Sequence, residues 1–548
     1  MKTADDFSNY VAELLDGSYD CVDRVVLNGY FPYGQQGGGL RQWWRLLHGS
    51  DEGLCDESLR EMAGNFSRRL HAYCGAHHIP ILRCADAKQK PFELARQHRP
   101  DDSNFQGLYL VLITKAPALV WKVKKCQTGA PHLERRTPWP YVQHYHFHIQ
   151  DREWGHVTIR MSGYPPFGIH VTVNGHEWVE RRALSQHMRF QKADNCFVGG
   201  SLNRLHELAE SLRAGSAIGR LADVADRWVY STCLCFALRR EEQESSGFRY
   251  QYSCAQIEFS RNLLFHSADQ LDQVYQGMID RTRKTLDVPK LKTIFGRRNR
   301  PHCKQGGKRL ERILDRSHWD LTVFKLHFGR LTLKMYDKGE RVLRIEAIAY
   351  NVEDLKCGKR LEKLLTMLEK LEQMTVNFLN VAHAAHLSFL DAGALDELPQ
   401  PTQRGKTRVA GVDIQKPRMR AALEAVLSLA SAPDGFTAEA LAGRVRQQQG
   451  HVQADYTTRR AAYDLRKLRG KALVEKTDRS RRYQVSTSAF RAIAALIIIR
   501  EKVLKPVLAG ACKPKLGRPP KNIDPLDIHY INLQRELSRT FETLGVAA

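Results

Sequence analysis

The sequence predicts a multidomain α+β fold, an antiparallel-sheet-containing N-terminal body with helical segments followed by a smaller, mainly helical C-terminal unit. Three observations predict it. The chain has 548 residues, too many for one hydrophobic core. Between residues 107 and 174, short runs of alternating apolar and polar residues follow one another, separated by Gly, Pro and Asp. Beyond residue 413 the apolar spacing becomes that of amphipathic helices.

Residues 1–105 read as a mixed α/β region, with a helix over 51–76 and a short strand "IPILRC" at 79–84. The Trp-rich "RQWWRLLHG", 41–49, reads as core. Residues 106–392 read as an α+β body with two antiparallel sheet segments. The first contains "GLYLVLIT", "ALVWKVKK", "YVQHYHFHI", "HVTIRMS" and "GIHVTVN". Asn174-Gly175 ends that run, and "HEWVERRALSQHMRF" reads as helix. Residues 200–285 read as mainly helical, and 289–310 as an exposed basic loop. A meander over 319–349 forms the second sheet segment, before a long helix over about 359–380, where Leu361, Leu364, Leu365, Leu368, Leu371 and Met374 fall near helical spacing. Residues 393–412 have linker composition. The C-terminal unit spans 413–504, and 505–548 is a basic tail with a short helix.

Charge narrows the function classes. The formal net charge is +24, and the pI near 9.6 points to an anionic partner. From Lys416 onward there are 25 basic and 12 acidic residues, and from Leu286 to Arg316 ten basic and three acidic. The excess is therefore concentrated in two places. The N-terminus is acidic and lacks the apolar core of a signal peptide. The twelve cysteines are scattered, with Cys233-Leu234-Cys235 the closest pair and no CxxC, which argues against a disulfide framework or zinc ribbon. The expected compartment is cytoplasmic, with no membrane partner.

In the C-terminal unit, "KPRMRAALEAVLSLA" reads as an amphipathic helix and Thr437 as the N-cap of a second, "AEALAGRVRQQ". A third helix starts near Tyr456 or Thr457 and stops at Gly470. Its apolar stripe is Ala461, Leu465 and Leu468, with Arg459, Arg460, Arg466 and Lys467 placed off it. "ALVEK" and "RYQVS" read as a hairpin carrying Arg479, Arg481 and Arg482, and Thr487 as the cap of a last helix. This order of elements resembles the MarR-like winged-helix, or elaborated helix-turn-helix, DNA-binding domains over 416–504. The resemblance implies that the third helix enters a major groove and that the hairpin lies along the backbone. Arginine suits both tasks, reading guanine edges bidentately and neutralising phosphate. The tail segment "KPKLGRPPKN" resembles an AT-hook through Gly517, Arg518 and Pro519, with Leu516 where a basic residue usually stands. The loop residues Arg297, Arg298, Arg300, Lys308 and Arg309 are further candidates for phosphate contact. Double-stranded DNA is the expected partner, with RNA the alternative and a second copy of the chain a further one.

Two stretches suggest chemistry. In "HYHFHIQD", His144, His146 and His148 share one strand face, with neighbours roughly 6–7 Å apart. His146 and His148 could converge on a divalent metal ion. "HFH" resembles the His-hydrophobe-His motif of rolling-circle replication initiators, which implies a mobile-element or strand-nicking activity. In "RLTLKMYDKGERVLRIEA", a turn of 338–340 places Lys334 opposite Arg344 and Thr332 opposite Glu346. Tyr336 then lies beside two cations that would lower its pKa, as a phosphodiester nucleophile requires. No Walker-type, Gly-x-Ser-x-Gly or His-Glu-x-x-His motif is present.

Overall fold

The computed structural model describes residues 5–274 and 322–498 together with 500, 528–529, 531–532 and 535–536. Within those ranges it leaves out 85–90, 103, 126–128, 130, 329–330, 339, 387–396, 405–406, 450–454 and 478–479. The fold is α+β, and its contacts divide it into two units. One comprises Met1–Leu15, Phe265–Phe328 and Gln373–Ala548, the other Asp16–Leu264 and Gly329–Glu372.

The second unit is built on a large, mainly antiparallel sheet. The strands of the chain up to this point are β1 (Leu15–Tyr30), β2 (Ile81–Arg83), β3 (Gly107–Pro117), β4 (Trp121–Lys125), β5 (Pro131–Arg135), β6 (Tyr141–Asp151), β7 (Gly155–Ser162), β8 (Ile169–Asn174), β9 (Phe190–Lys192), β10 (Phe197–Gly200), β11 (Gln251–Phe265), β12 (Thr322–Phe328), β13 (Leu331–Lys338) and β14 (Val342–Ala349). Within this unit the order is β13-β14-β11-β1-β8-β7-β6-β3-β2. Only β2, beside β3, is paired parallel in the registers resolved.

The registers carry one apolar face across four strands. Tyr145, Phe147 and Ile149 of β6, Ile159 and Met161 of β7, Val171 and Val173 of β8, and Val25 and Leu27 of β1 are all nearly inaccessible. The helix Asp56–Ala76 presents Phe66 to this face, its ring 4.7 Å from that of Tyr145. Burying each such side chain contributes about 1.5–3 kcal/mol. The tryptophans of 41–49 are core, as their helix Gly37–His48 buries both Trp43 and Trp44.

At the end of β8, Asn174 caps the helix Gly175–Ser185 by accepting from His176 N at 2.8 Å. A Cβ at residue 175 would lie 1.8 Å from the Val22 carbonyl oxygen, so only glycine allows this helix to leave the sheet here.

Several elements differ from the sequence expectation: the 16-residue β1 was not foreseen within 1–105, and β4 pairs with β5 outside the large sheet. Residues 200–285, read as mainly helical, contain the 15-residue strand β11. Its inner half is buried on both faces, so the alternation that marks a one-sided strand is erased. The linker-like stretch 393–412 contains a hairpin of β15 (Thr402–Arg404) and β16 (Thr407–Val409), with Leu398, Val409 and Val412 buried.

In the C-terminal unit the order is helix Pro417–Leu429, β17 (Phe436–Thr437), helix Ala438–Gln449, helix Thr458–Gly470, β18 (Glu475–Lys476), β19 (Arg482–Gln484) and helix Thr487–Ile498. The small sheet is ordered β17-β19-β18 and is antiparallel. Ala422, Val426, Leu441, Val445, Leu465, Leu468, Phe490 and Ile493 fill one shared core. Thr437 caps the second helix, its hydroxyl accepting from Ala440 N at 3.2 Å. The last helix is capped by Ser486 rather than Thr487, through Ala489 N at 3.3 Å. Among the described residues no helix is long and apolar enough to cross a membrane.

Candidate functional site

The third helix of the C-terminal unit, Thr458–Gly470, is seated by a buried carboxylate. Asp464 is inaccessible to solvent and accepts from the Tyr456 hydroxyl at 2.9 Å, while Arg418 pairs with it at 3.1 Å. Together with Ala461, Leu465 and Leu468 it forms an inward stripe at i, i+3, i+4 and i+7. This sets the roll of the helix. Arg459, Ala462, Tyr463 and Arg466 consequently face outward, with Tyr463 43% exposed.

The predicted basic residues divide by this geometry. Arg459 and Arg466 are exposed, and so is Arg481 on the hairpin. Arg460 is exposed too, but its guanidinium donates to the Asp455 carbonyl at 2.8 Å, closing the helix start. Lys467, expected off the apolar stripe, is 9% exposed. Its position beside Asp464 and Leu468 takes it to the inner side. There its stem is covered, burial lowers its pKa, and its ammonium lies 5.0 Å from the Tyr463 ring centre.

Arg482 donates to the carbonyls of Gly435 at 2.9 Å and Asp434 at 3.4 Å, so it braces the hairpin against the turn before β17. Arg479, Arg518 and the loop residues Arg297, Arg298, Arg300, Lys308 and Arg309 lie outside the described residues. Tyr463 is the outward residue that the sequence reading passed over. Its signal was the spacing, four residues after Arg459 and three before Arg466.

The Tyr336 hairpin has a different register from the one expected. Lys334 lies opposite Glu346, Tyr336 opposite Arg344 and Thr332 opposite Ile348. Pairing runs on to Lys338 opposite Val342, and Glu340 turns the chain with φ at 66°. Opposite charges thereby face each other, where the expected register set Lys334 against Arg344.

Nor is this face at the surface. Tyr336 is 6% exposed and Arg344 fully buried. The Tyr336 hydroxyl donates to Glu346 at 2.6 Å, and its pKa is raised, not lowered, chiefly by burial. Arg344 also pairs with Asp23 and with Glu346 and donates to the Asn195 carbonyl.

Asp23 completes a buried chain. Its second oxygen lies 2.6 Å from His176 Nδ1, and His176 Nε2 lies 3.3 Å from the Tyr19 hydroxyl, which accepts from Phe197 N at 2.8 Å. Burial opposes ionisation of Asp23, but Arg344 and His176 outweigh it and hold the carboxyl well below its ordinary range. Glu258 is pushed up to about 7, first by burial and then by Asp23 and Glu346. Cys21, Asp23 and His176 place ligand atoms within 4.8 Å of one another, close enough to hold a metal ion. Arg344 takes the other Asp23 oxygen, and its charge there opposes a cation.

The predicted histidine pair separates. His144, His146 and His148 do share a face, which the registers extend to Arg160, Thr158 and His156 on β7 and to His170 on β8. His146 Nε2, however, binds Thr114 Oγ1 at 2.8 Å, and His148 Nδ1 lies 3.0 Å from His156 Nε2. Burial is the main reason that His146, His156 and His170 fall to about 4 and His148 to about 3. No family model, curated protein or solved structure matches the chain.

Proposed function

We propose that the chain is a double-stranded-DNA-binding protein, and that residues 417–498 are a winged helix whose third helix enters the major groove. The observation that carries this is the outward stripe of Arg459, Tyr463 and Arg466 on a helix whose roll is set from within by Asp464. Arg481 on the hairpin adds a cation beyond that stripe. Two exposed guanidiniums two turns apart suit base edges and phosphates of one groove, and the intervening tyrosine supplies a flat contact. The net charge of +24 supports an anionic polymer over a neutral ligand.

The test is anisotropy titration of the full chain against random and selected duplexes, with single-stranded RNA as competitor. A double variant, Arg459→Ala with Arg466→Ala, is expected to weaken duplex binding at least about 30-fold, at about 1–3 kcal/mol for each good base contact. Unchanged affinity in that variant, or RNA displacing duplex at equal concentration, would overturn the reading.

A further inference from the structure

The sheet face that carries the histidines holds a compact set of donor atoms independent of the DNA-binding reading. β6 and β7 place His148 opposite Thr158 and Gln150 opposite His156. His148 Nδ1 and His156 Nε2 are 3.0 Å apart, and Thr158 Oγ1 is 3.4 Å from the first and 3.2 Å from the second. The three atoms form a nearly equilateral triangle. Two ligands on a tetrahedral ion with bonds of about 2.0–2.1 Å lie about 3.3 Å apart, so the triangle has the size of one coordination face.

A second observation concerns the residues around it. The Tyr109 hydroxyl, the His148 Nε2 and the Gln150 Oε1 are buried and have no hydrogen-bond partner among the described residues. All three side chains are 6% exposed or less. The Tyr109 ring centre lies 6.3 Å from that of His148 and 6.0 Å from that of His156. The Tyr109 hydroxyl and the Gln150 Oε1 are thus buried polar atoms that water on a bound ion can satisfy, while His148 Nε2 lies across the ring from the donor Nδ1.

Arg99 and Glu177 face His156, and they pair with each other at 2.9 Å. His146 is the further titratable neighbour of His148, and it is held neutral. The two imidazoles are themselves in the uncharged form that metals bind.

We propose that His148, His156 and Thr158 form a binding site for a divalent transition-metal ion of the imidazole-preferring class, zinc, nickel or copper, with Tyr109 and Gln150 as its polar surround. The pair differs from the one expected along a single strand. His156 comes from the neighbouring strand, while His146 is turned to Thr114.

The experiment uses tag-free, chelator-treated full-length protein titrated with zinc chloride by calorimetry, followed by X-ray absorption of the one-equivalent sample. The expected result is one equivalent bound, a nitrogen and oxygen first shell with imidazole scattering, and at least a tenfold loss of affinity in His156→Gln. Affinity should be unchanged in His146→Gln and in Cys21→Ser. Absence of binding overturns the proposal. So does a sulfur ligand, which would move the ion to Cys21, and so does a loss in His146→Gln equal to that in His156→Gln. Should His156→Gln fail to fold, as its circular dichroism would reveal, the wild-type absorption spectrum and the Cys21→Ser titration still decide.

Discussion

Single buried carboxylates do much of the positioning in this protein. Asp464 is the partner of both Tyr456 and Arg418, so Asp464→Ala leaves a buried hydroxyl without an acceptor. Arg418 is half-exposed and recovers water, so the loss is expected at about 1–3 kcal/mol, read from chemical denaturation. The same variant should weaken duplex binding, because it frees the roll of the third helix. Asp464 was not legible as an anchor, since its i+3 and i+4 neighbours gave no hint that Arg418, 46 residues earlier, would reach it. The outward arginines were legible because they lie off an apolar stripe. Lys467 was misplaced for the complementary reason: a long aliphatic stem lets a lysine sit on the inner side with its ammonium on a ring.

At the scale of elements, the sheet has two kinds of titrating groups with opposite pH signatures. His146, His148, His156 and His170 have folded pKa values of about 3–4, below the ordinary value of 6.5. The unfolded chain therefore binds their protons first. The stability they permit is full above about 6.5 and is lost as pH falls towards 4. Glu258 behaves oppositely. Its folded pKa of about 7 lies above the ordinary carboxyl value, so its contribution is full in acid and is lost as pH rises through 7. Over the shared window from about 4.5 to 7 the four histidines outweigh the one carboxyl, so denaturation midpoints should rise from pH 4 and level off above about 7, and Glu258→Gln should steepen that rise. A midpoint constant from pH 4 to 8 would contradict both assignments. The alternating strands β7 and β8 were legible from their period. β11 was not, because a strand buried on both faces has no period to read. The turn of the β13–β14 hairpin was placed one residue early, which kept the faces right and every cross-strand partner wrong.

For the whole molecule, the pertinent quantity is how charge is distributed relative to fold. The net charge of +24 was plain from composition, and its concentration towards the C-terminus located the candidate interface. What composition could not say is which cations are already employed inside the protein, as Lys467, Arg482 and Arg344 are. With Arg459, Arg466 and Arg481 as the minimum set, the logarithm of duplex affinity should fall against the logarithm of salt with a slope of about −2 to −3 or steeper. Arg481→Ala should make that slope shallower by about 1, with little change in sequence preference. A slope near zero would remove the polyelectrolyte basis of the proposal.

The contact of Arg482 with the Gly435 carbonyl has one more implication. Arg482 and the β17–β19 pairing tie the base of the hairpin to its own scaffold before it meets a target. Docking should thus resemble a key entering a lock, with little of the entropy loss and slow rearrangement that accompany a floppy arm. On the DNA-binding proposal, cutting that tie with Arg482→Ala should slow the final locking onto a duplex by loosening the hairpin base.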